Sequence, residues 1–255
     1  MTRAAMTSRH PSASPVRAPV AAGTTGRSST GRLRTIGSAP SMPNRRVRRR
    51  WAAQRALDVV VAGTALMLLA PLMALVAVLI RCTSRGPVLF RQVRLGRGRT
   101  PFVMLKFRSM YAGSDDKAHR EYVRRLLTGR PEPMGPGAGL YKLSGDVRIT
   151  PVGRLLRRWS IDELPQLVNV LRGEMALVGP RPVLPWEAML FDPRHEKRFA
   201  VPPGITGLWQ TSGRNRLSMT EALDLDVRYA EQTSLRLDVA ILLRTLPAVL
   251  GSGVR

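Results

Sequence analysis

A mostly helical α+β fold carried on a membrane helix is predicted by three features of the sequence. Residues Ala56 to Ile80 are almost wholly apolar, broken only by Asp58, Gly63, Thr64 and Pro71. Leu164, Leu167, Val168 and Leu171 recur at the single-face spacing of an amphipathic helix. Two short runs alternating apolar with basic residues, Val88 to Leu95 and Phe102 to Phe107, flank the turn Gly96-Arg97-Gly98-Arg99 and predict a small β-hairpin.

Residues 1–46 are rich in Ala, Ser, Thr, Gly, Pro and Arg, lack Asp and Glu, and show no sustained apolar period, so a disordered basic leader is expected. Its best apolar run, Pro19 to Ala22, is too short for an export signal. Arg45, Arg46, Arg48, Arg49 and Arg50 stand just before the apolar segment, where such a cluster suits an anionic membrane surface.

The folded domain is expected over residues 47–250, with 56–80 as its membrane segment. At about 1.5 Å per residue that segment can cross the hydrocarbon layer as a helix. Arginines flank it on both sides, however, from Arg50 and Arg55 before it to Arg81, Arg85 and Arg91 after it. Basic flanks stay on the cytoplasmic side. Pro71 removes a backbone hydrogen bond beyond the middle of the run and provides a place to bend. A re-entrant helical hairpin that enters and leaves on one side satisfies both observations; a single-pass helix is the alternative.

After the β-hairpin a helix is predicted over Asp115 to Leu127, then a Gly- and Pro-rich loop over Gly129 to Gly139. Asp146 to Thr150 reads as a short strand, with Asp146 as a turn-former. The central stretch, Leu155 to Pro182, is expected to open a helix between Ser160 and Asp162, with Ser160 and Glu163 as a capping box and Gly173 as the stop. Trp186 reads as a core or interfacial anchor. Pro202 to Gln210 is a glycine-punctuated loop, which suits either a tightly packed turn or a close approach to a nucleotide. Ser218 and Glu221 form a second capping box that opens a helix to about Glu231, whose Asp224 and Asp226 read as salt-bridging residues. Leu235 to Leu250 is short for a span and carries Asp238 and Arg244, so it reads as an interfacial or core helix. Residues 251–255 read as a tail.

Charge narrows the partner class. Lys and Arg total 41 against 17 acids, a net +24, which calls for a polyanionic partner: nucleic acid, anionic lipid or a phosphorylated substrate. Eleven arginines lie in the first 50 residues, so the remainder carries +13. Aromatic residues make up 5%, with no interleaved aromatic and basic stretch of the kind single-strand binders use, and no nucleic acid is expected. The single cysteine, Cys82, excludes a disulfide framework, and His10, His119 and His195 lack ligand spacing for zinc.

Asp162 and Glu163 lie close after Arg157 and Arg158, with Arg181 between Pro180 and Pro182. In an ordinary capped helix the two acids complement the dipole. As chemistry, a carboxylate can attack a phosphate if cations offset the repulsion between the two anions. Lys106 and Arg108, assigned to one face of the second strand, read either as a solvated basic face or as a phosphate holder.

The blocks GPVLFRQVRLG (86–96), MLKFRSM (104–110), SIDELPQLVNVLRGEMALVGPRP (160–182) and PGITGLWQTSGRN (203–215) closely resemble, in this order, motifs of bacterial sugar transferases. These are monotopic phosphoglycosyl transferases that load a sugar phosphate onto a polyprenyl phosphate carrier. The resemblance covers roughly Val47 to Thr245. It implies a monotopic domain on the cytoplasmic membrane, facing the cytoplasm, with a re-entrant helix bent at Pro71; relatives commonly carry Ser where this chain has Ala70.

The resemblance further implies that Asp162 attacks the β-phosphate of a UDP-sugar, expels UMP and forms a covalent intermediate that polyprenyl phosphate then cleaves, in the service of exopolysaccharide or other glycoconjugate synthesis. Glu163, with Asp162, matches the positions linked to Mg²⁺. Lys106, Arg157 and Arg181 match positions linked to the phosphates and nucleotide, and Arg108 and Arg214 are further candidates for substrate contact. A membrane-anchored nucleic-acid-binding protein and an inactive scaffold are the competing readings; the intact Asp162, Glu163 and Arg181 count against the scaffold. Nothing in the sequence selects the sugar or an oligomeric state.

Overall fold

The computed structural model describes residues 45–128, 146–212 and 217–251. The predicted leader up to residue 44, the loop at 129–139, Arg214 and the last four residues of the tail lie outside these.

Helix α1 runs from Arg45 to Thr83, 39 residues and so about 58 Å. It begins at the basic cluster, so those arginines belong to its first turns and not to the leader. It is the one helix, among the described residues, long and apolar enough to cross a membrane. Helical structure continues through Pro71, and the expected hairpin is not marked by an interruption. The proline removes the N–H that would bond to Met67, while the flanking Leu, Ala and Met residues are strong helix formers.

Both halves of α1 pack on the domain that follows. Trp51, Ala62, Ala65 and Leu66 join a core with Leu167, Val170, Leu177, Tyr229 and Ile241. Met73, Val76, Ala77 and Ile80 join a second core with Phe107 and Leu156, and Leu164 touches both. The outward face stays apolar and bare: Val60 is 65% exposed, Met67 72% and Leu68 69%.

The hairpin forms as expected from β1 (Leu89–Leu95) and β2 (Pro101–Phe107), with Leu89 opposite Phe107 and Leu95 opposite Pro101. Helix α2 covers Lys117–Leu127. Residues 146–150 do not make a strand: Asp146 starts a turn, and only Ile149 pairs, in a single bridge with Met110. Helix α3 (Pro151–Arg158) and α4 (Gln166–Arg172) are separated by a 3-10 turn, Ile161–Glu163. Then follow β3 (Ala176–Val178), α5 (Pro185–Ala188), a 3-10 segment over Pro193–Ala200, β4 (Gly204–Thr206) and α6 (Leu208–Thr211). Trp186, partly buried, packs with Trp209 and Leu223.

The β3–β4 pair is parallel, with Ala176 opposite Gly204 and Val178 opposite Thr206, and the sequence patterns had not suggested it. Each strand has three residues, too short to show alternation. A Cβ on Gly204 would stand 2.0 Å from Gly179 N, so this glycine serves close packing of chain on chain. Helix α7 (Met219–Gln232) opens with the expected capping box: Ser218 N donates to Glu221 Oε2 at 2.7 Å and Glu221 N to Ser218 Oγ at 3.2 Å. Helix α8 (Leu235–Gly251) buries Ile241 in the first core and leaves Leu243 outward.

Candidate active site

The acidic pair is presented by a break between two short helices. Thr150 caps α3, its Oγ1 accepting from Gly153 N at 2.9 Å, and Pro151 supplies a pre-set first residue. A Cβ on Gly153 would meet Ser109 O at 2.0 Å, so α3 lies directly on the chain leaving β2. After Arg158 the chain reverses at Ser160, which adopts the left-handed conformation, φ 55°.

The expected capping box at Ser160 and Glu163 is therefore absent: the Ser160 side chain makes no cap, and α4 starts one turn later with Pro165 as its N-cap. The physical reason is Pro165, which cannot donate within a helix begun at Ser160. Asp162 and Glu163 consequently sit in the 3-10 turn ahead of α4. Gly173, φ 80°, ends α4 as expected.

Asp162 is 9% exposed. Glu163 Oε1 accepts from Lys106 Nζ at 2.8 Å, tying the acidic turn to β2. Asn169, fully buried in α4, fixes the same junction by accepting from Leu105 N at 3.0 Å and donating to Val103 O at 2.8 Å. Its side chain thus acts as a further strand edge beside β2 and sets the height of Lys106 against Glu163. Locally the sequence marks Asn169 only as a polar residue between Val168 and Val170.

The remaining basic candidates divide. Hydrogen bonds from Arg148 chiefly hold the Asp146 carboxyl below the usual carboxylate range, and Arg157, partly buried in the last turn of α3, adds to this. Arg148 Nη2 donates to Asp146 Oδ2 at 2.7 Å, so Asp146 is an ion-pair partner as well as a turn-former. Arg108 falls just beyond β2, is 5% exposed, and donates from Nη2 to Ser84 O and Ser84 Oγ at 2.7 and 2.8 Å. Its bonds go to the end of α1, whereas those of Lys106 go to the acidic turn.

Arg181 is held through its backbone. Arg198 Nη2 donates to Arg181 O at 2.7 Å and to Asp226 Oδ2 at 2.5 Å, and Arg198 and Asp226 are both 2% exposed. Burial pushes the Asp226 carboxyl up, opposed chiefly by the charge and hydrogen bond of Arg198. Asp226 salt-bridges as expected; Arg198 had not been singled out, being one of many arginines in a basic segment. Asp224 bonds to His195 Nε2 at 2.9 Å.

This arrangement places a buried carboxylate beside a carboxylate–ammonium pair, at the end of a helix bearing Arg157 and Arg158. It can present one oxygen nucleophile and cations to an anionic group. The described residues hold no cluster of three or more His, Cys, Asp or Glu for a metal.

The model of the bacterial sugar transferase family matches residues 49–252. The exopolysaccharide production protein ExoY of Rhizobium meliloti is 39% identical over 197 residues, 77% of this chain and 85% of that protein. The UDP-glucose:undecaprenyl-phosphate glucose-1-phosphate transferase of Caulobacter vibrioides is 41% identical over 207 residues, 77% of this chain and 69% of that one. The undecaprenyl-phosphate galactose phosphotransferase of Salmonella typhimurium is 37% identical over 77% of this chain and 40% of its own length. The chain with this acidic turn therefore belongs to the bacterial sugar transferase family and is a transferase.

Proposed function

We propose that the enzyme transfers a sugar 1-phosphate from a UDP-sugar to a polyprenyl phosphate such as undecaprenyl phosphate, as an early membrane step of exopolysaccharide or related glycoconjugate synthesis. The names of the Caulobacter and Salmonella relatives support this donor and acceptor chemistry. The observation that carries the reading is the buried Asp162 next to the Lys106–Glu163 pair.

In the first half-reaction an Asp162 oxygen attacks the β-phosphorus, the bond to the bridging oxygen breaks, and UMP leaves with that oxygen's electron pair. In the second, a phosphate oxygen of the lipid attacks the same phosphorus, the Asp162–phosphorus bond breaks, and the carboxylate is restored. Lys106 sits where it can offset phosphate charge, with Arg157 and Arg181 as further cations on adjoining elements.

Mg²⁺ fits this donor set, because it binds through one or two carboxylates plus substrate phosphate oxygens and needs no cage made wholly of protein. Glu163, with Asp162, would hold it, and it would supply charge neutralisation at the diphosphate.

A same-sided, re-entrant placement of α1, with the catalytic part facing the cytoplasm, is supported by the packing of both its halves on the one domain. A helix that delivered its two ends to opposite sides of a bilayer could not keep both in those cores. The test is to incubate purified enzyme with Mg²⁺ and a panel of UDP-sugars, following UMP release with and without polyprenyl phosphate. A stoichiometric burst of UMP before acceptor is added, then turnover once it is present, is expected; UMP release that needs both substrates at once would exclude the covalent route.

A further inference from the structure

At the C-terminal end of α1 an open cavity, about 510 Å³, is lined by Arg81, Cys82, Thr83, Ser84, Arg85, Tyr111 and Ala112. It is formed by the end of the apolar helix and the chain after β2. Arg81, Arg85 and Tyr111 are exposed there. The wall behind Ser84 is the Arg108 guanidinium, whose Nη2 takes both Ser84 oxygens while its Nε and Nη1, fully buried, have no partner. Nη1 lies beside Gly86, where a Cβ would approach it to 2.4 Å and would stand 3.2 Å from Ala112 Cβ, so the buried guanidinium backs the Ser84 and Ala112 side of the cavity.

Arg81 and Arg85 line the cavity without a counter-charge: among the described residues neither they nor Arg108 has a carboxylate within ion-pair distance. The acids nearest in sequence to Tyr111 are already engaged, Asp115 with Lys117, Asp116 with Arg120 and Glu121 with Arg125, and Asp146, brought close by the Met110–Ile149 bridge, pairs with Arg148. Of the carbonyls near the helix end, which would repel an anion, those of Leu79, Ile80 and Ser84 are covered. Thr83 Oγ1 donates to Leu79 O, Ser84 N donates to Ile80 O, and Arg108 covers Ser84 O.

Directly before the cavity the outward face of α1 is bare hydrocarbon: Leu75 is 56% exposed, Val78 59% and Leu79 41%. A basic cavity continuous with an apolar helix face matches a molecule that is anionic at one end and aliphatic at the other. We propose that this cavity seats the phosphate headgroup of an anionic phospholipid, with Arg81 and Arg85 around the phosphate, Arg108 behind them holding Ser84, and the acyl chains along Leu75, Val78 and Leu79. The site is separate from the Lys106–Glu163 pair, and it fixes the depth at which the end of α1 meets the bilayer surface. The proposal rests on the membrane placement of α1 described above and not on the covalent chemistry.

The test uses the full chain in neutral detergent, offered phosphatidylglycerol or phosphatidylcholine and examined by native mass spectrometry. One phosphatidylglycerol per chain is expected, retained in roughly 30-fold excess over phosphatidylcholine. That excess should fall by about five-fold per arginine in Arg81→Gln and Arg85→Gln and persist in Arg228→Gln on the exposed side of α7. Alkylating Cys82, the chain's single cysteine, with a bulky maleimide should block retention. Equal retention of the two lipids, or an excess unchanged in the Arg81→Gln/Arg85→Gln double variant, overturns the proposal. Displacement of phosphatidylglycerol by equimolar polyprenyl phosphate overturns it too, assigning the cavity to the acceptor. UMP release and flotation with vesicles, measured on the same preparation, report separately on the proposed reaction and on membrane association.

Discussion

Lys106 Nζ lies 2.8 Å from Glu163 Oε1, so the second strand of the hairpin and the acidic turn meet through one ion pair. The two side chains are 16% and 25% exposed, open enough for solvent and substrate to compete for them. An ion pair in that setting contributes only about 0–1 kcal/mol to stability. Lys106→Met and Glu163→Gln are therefore expected to melt close to wild type while lowering UMP release about 10²-fold, the scale set by losing one preorganised charge at a reacting group. Paired thermal melts and initial rates check this, and a large drop in melting temperature would reassign the pair to structure.

Asp162→Asn preserves shape and removes the nucleophile. Turnover is expected to fall to background, and enzyme quenched after exposure to a UDP-sugar should carry no phosphosugar mass, whereas wild type does. Full activity in this variant would exclude Asp162 as the attacking group.

The Arg198–Asp226 pair makes a prediction of opposite character. Removing one partner leaves the other charge buried and alone, so Asp226→Ala should cost about 3–5 kcal/mol of stability. The double replacement Arg198→Met/Asp226→Leu should recover most of that loss. Because Arg198 also holds the Arg181 carbonyl, the stable double variant should still show a raised KM for the UDP-sugar. Denaturant melts and steady-state kinetics on the three proteins separate the two effects.

Asn169→Leu replaces an amide that satisfies Leu105 N and Val103 O. Each buried backbone group left unpaired costs about 1–3 kcal/mol, and Lys106 loses its reference point against Glu163. A stability loss accompanied by a fall in kcat is expected. A variant destabilised but unchanged in kcat would show that Asn169 has no part in placing Lys106.

Asp146 supplies a pH dependence. Its folded value is lowered from 3.8, first by the Arg148 hydrogen bonds, so its contribution is present at neutral pH and is lost as acid carries the pH from 3.8 down through that lowered value. The melting-temperature gap between wild type and Asp146→Asn should be widest near neutrality and close below pH 3.8. A gap constant across that range would mean that the ion pair does not couple to folding.

Long periodic segments were legible in the sequence, and so was turn chemistry. The apolar run of α1, the hairpin around Gly96 to Arg99, and the Ser218 and Glu221 cap of α7 follow from local rules that need no partner. The start of α4 did not, because the rule that marks Ser160 as a cap competes with the proline at 165, and the proline prevails. The three-residue strands β3 and β4 were hidden for a different reason: their pairing depends on glycines 179 and 204 touching across 25 residues of chain. At the site, the acidic pair and Lys106 were visible as residue types in recognised motifs. Asn169 and Arg198 were not, since each acts on a backbone group that the sequence places far away.

Trp51 and Ala62 belong to one core and Val76 and Ile80 to another, so the apolar helix closes two interiors of the domain that follows it. Trimming away residues 45–83 to obtain a shorter catalytic fragment would therefore lay open both interiors at once. Purification has to keep that helix and shield its bare side with amphiphile, and any detergent that strips or bends it acts directly on the acidic turn through Leu164.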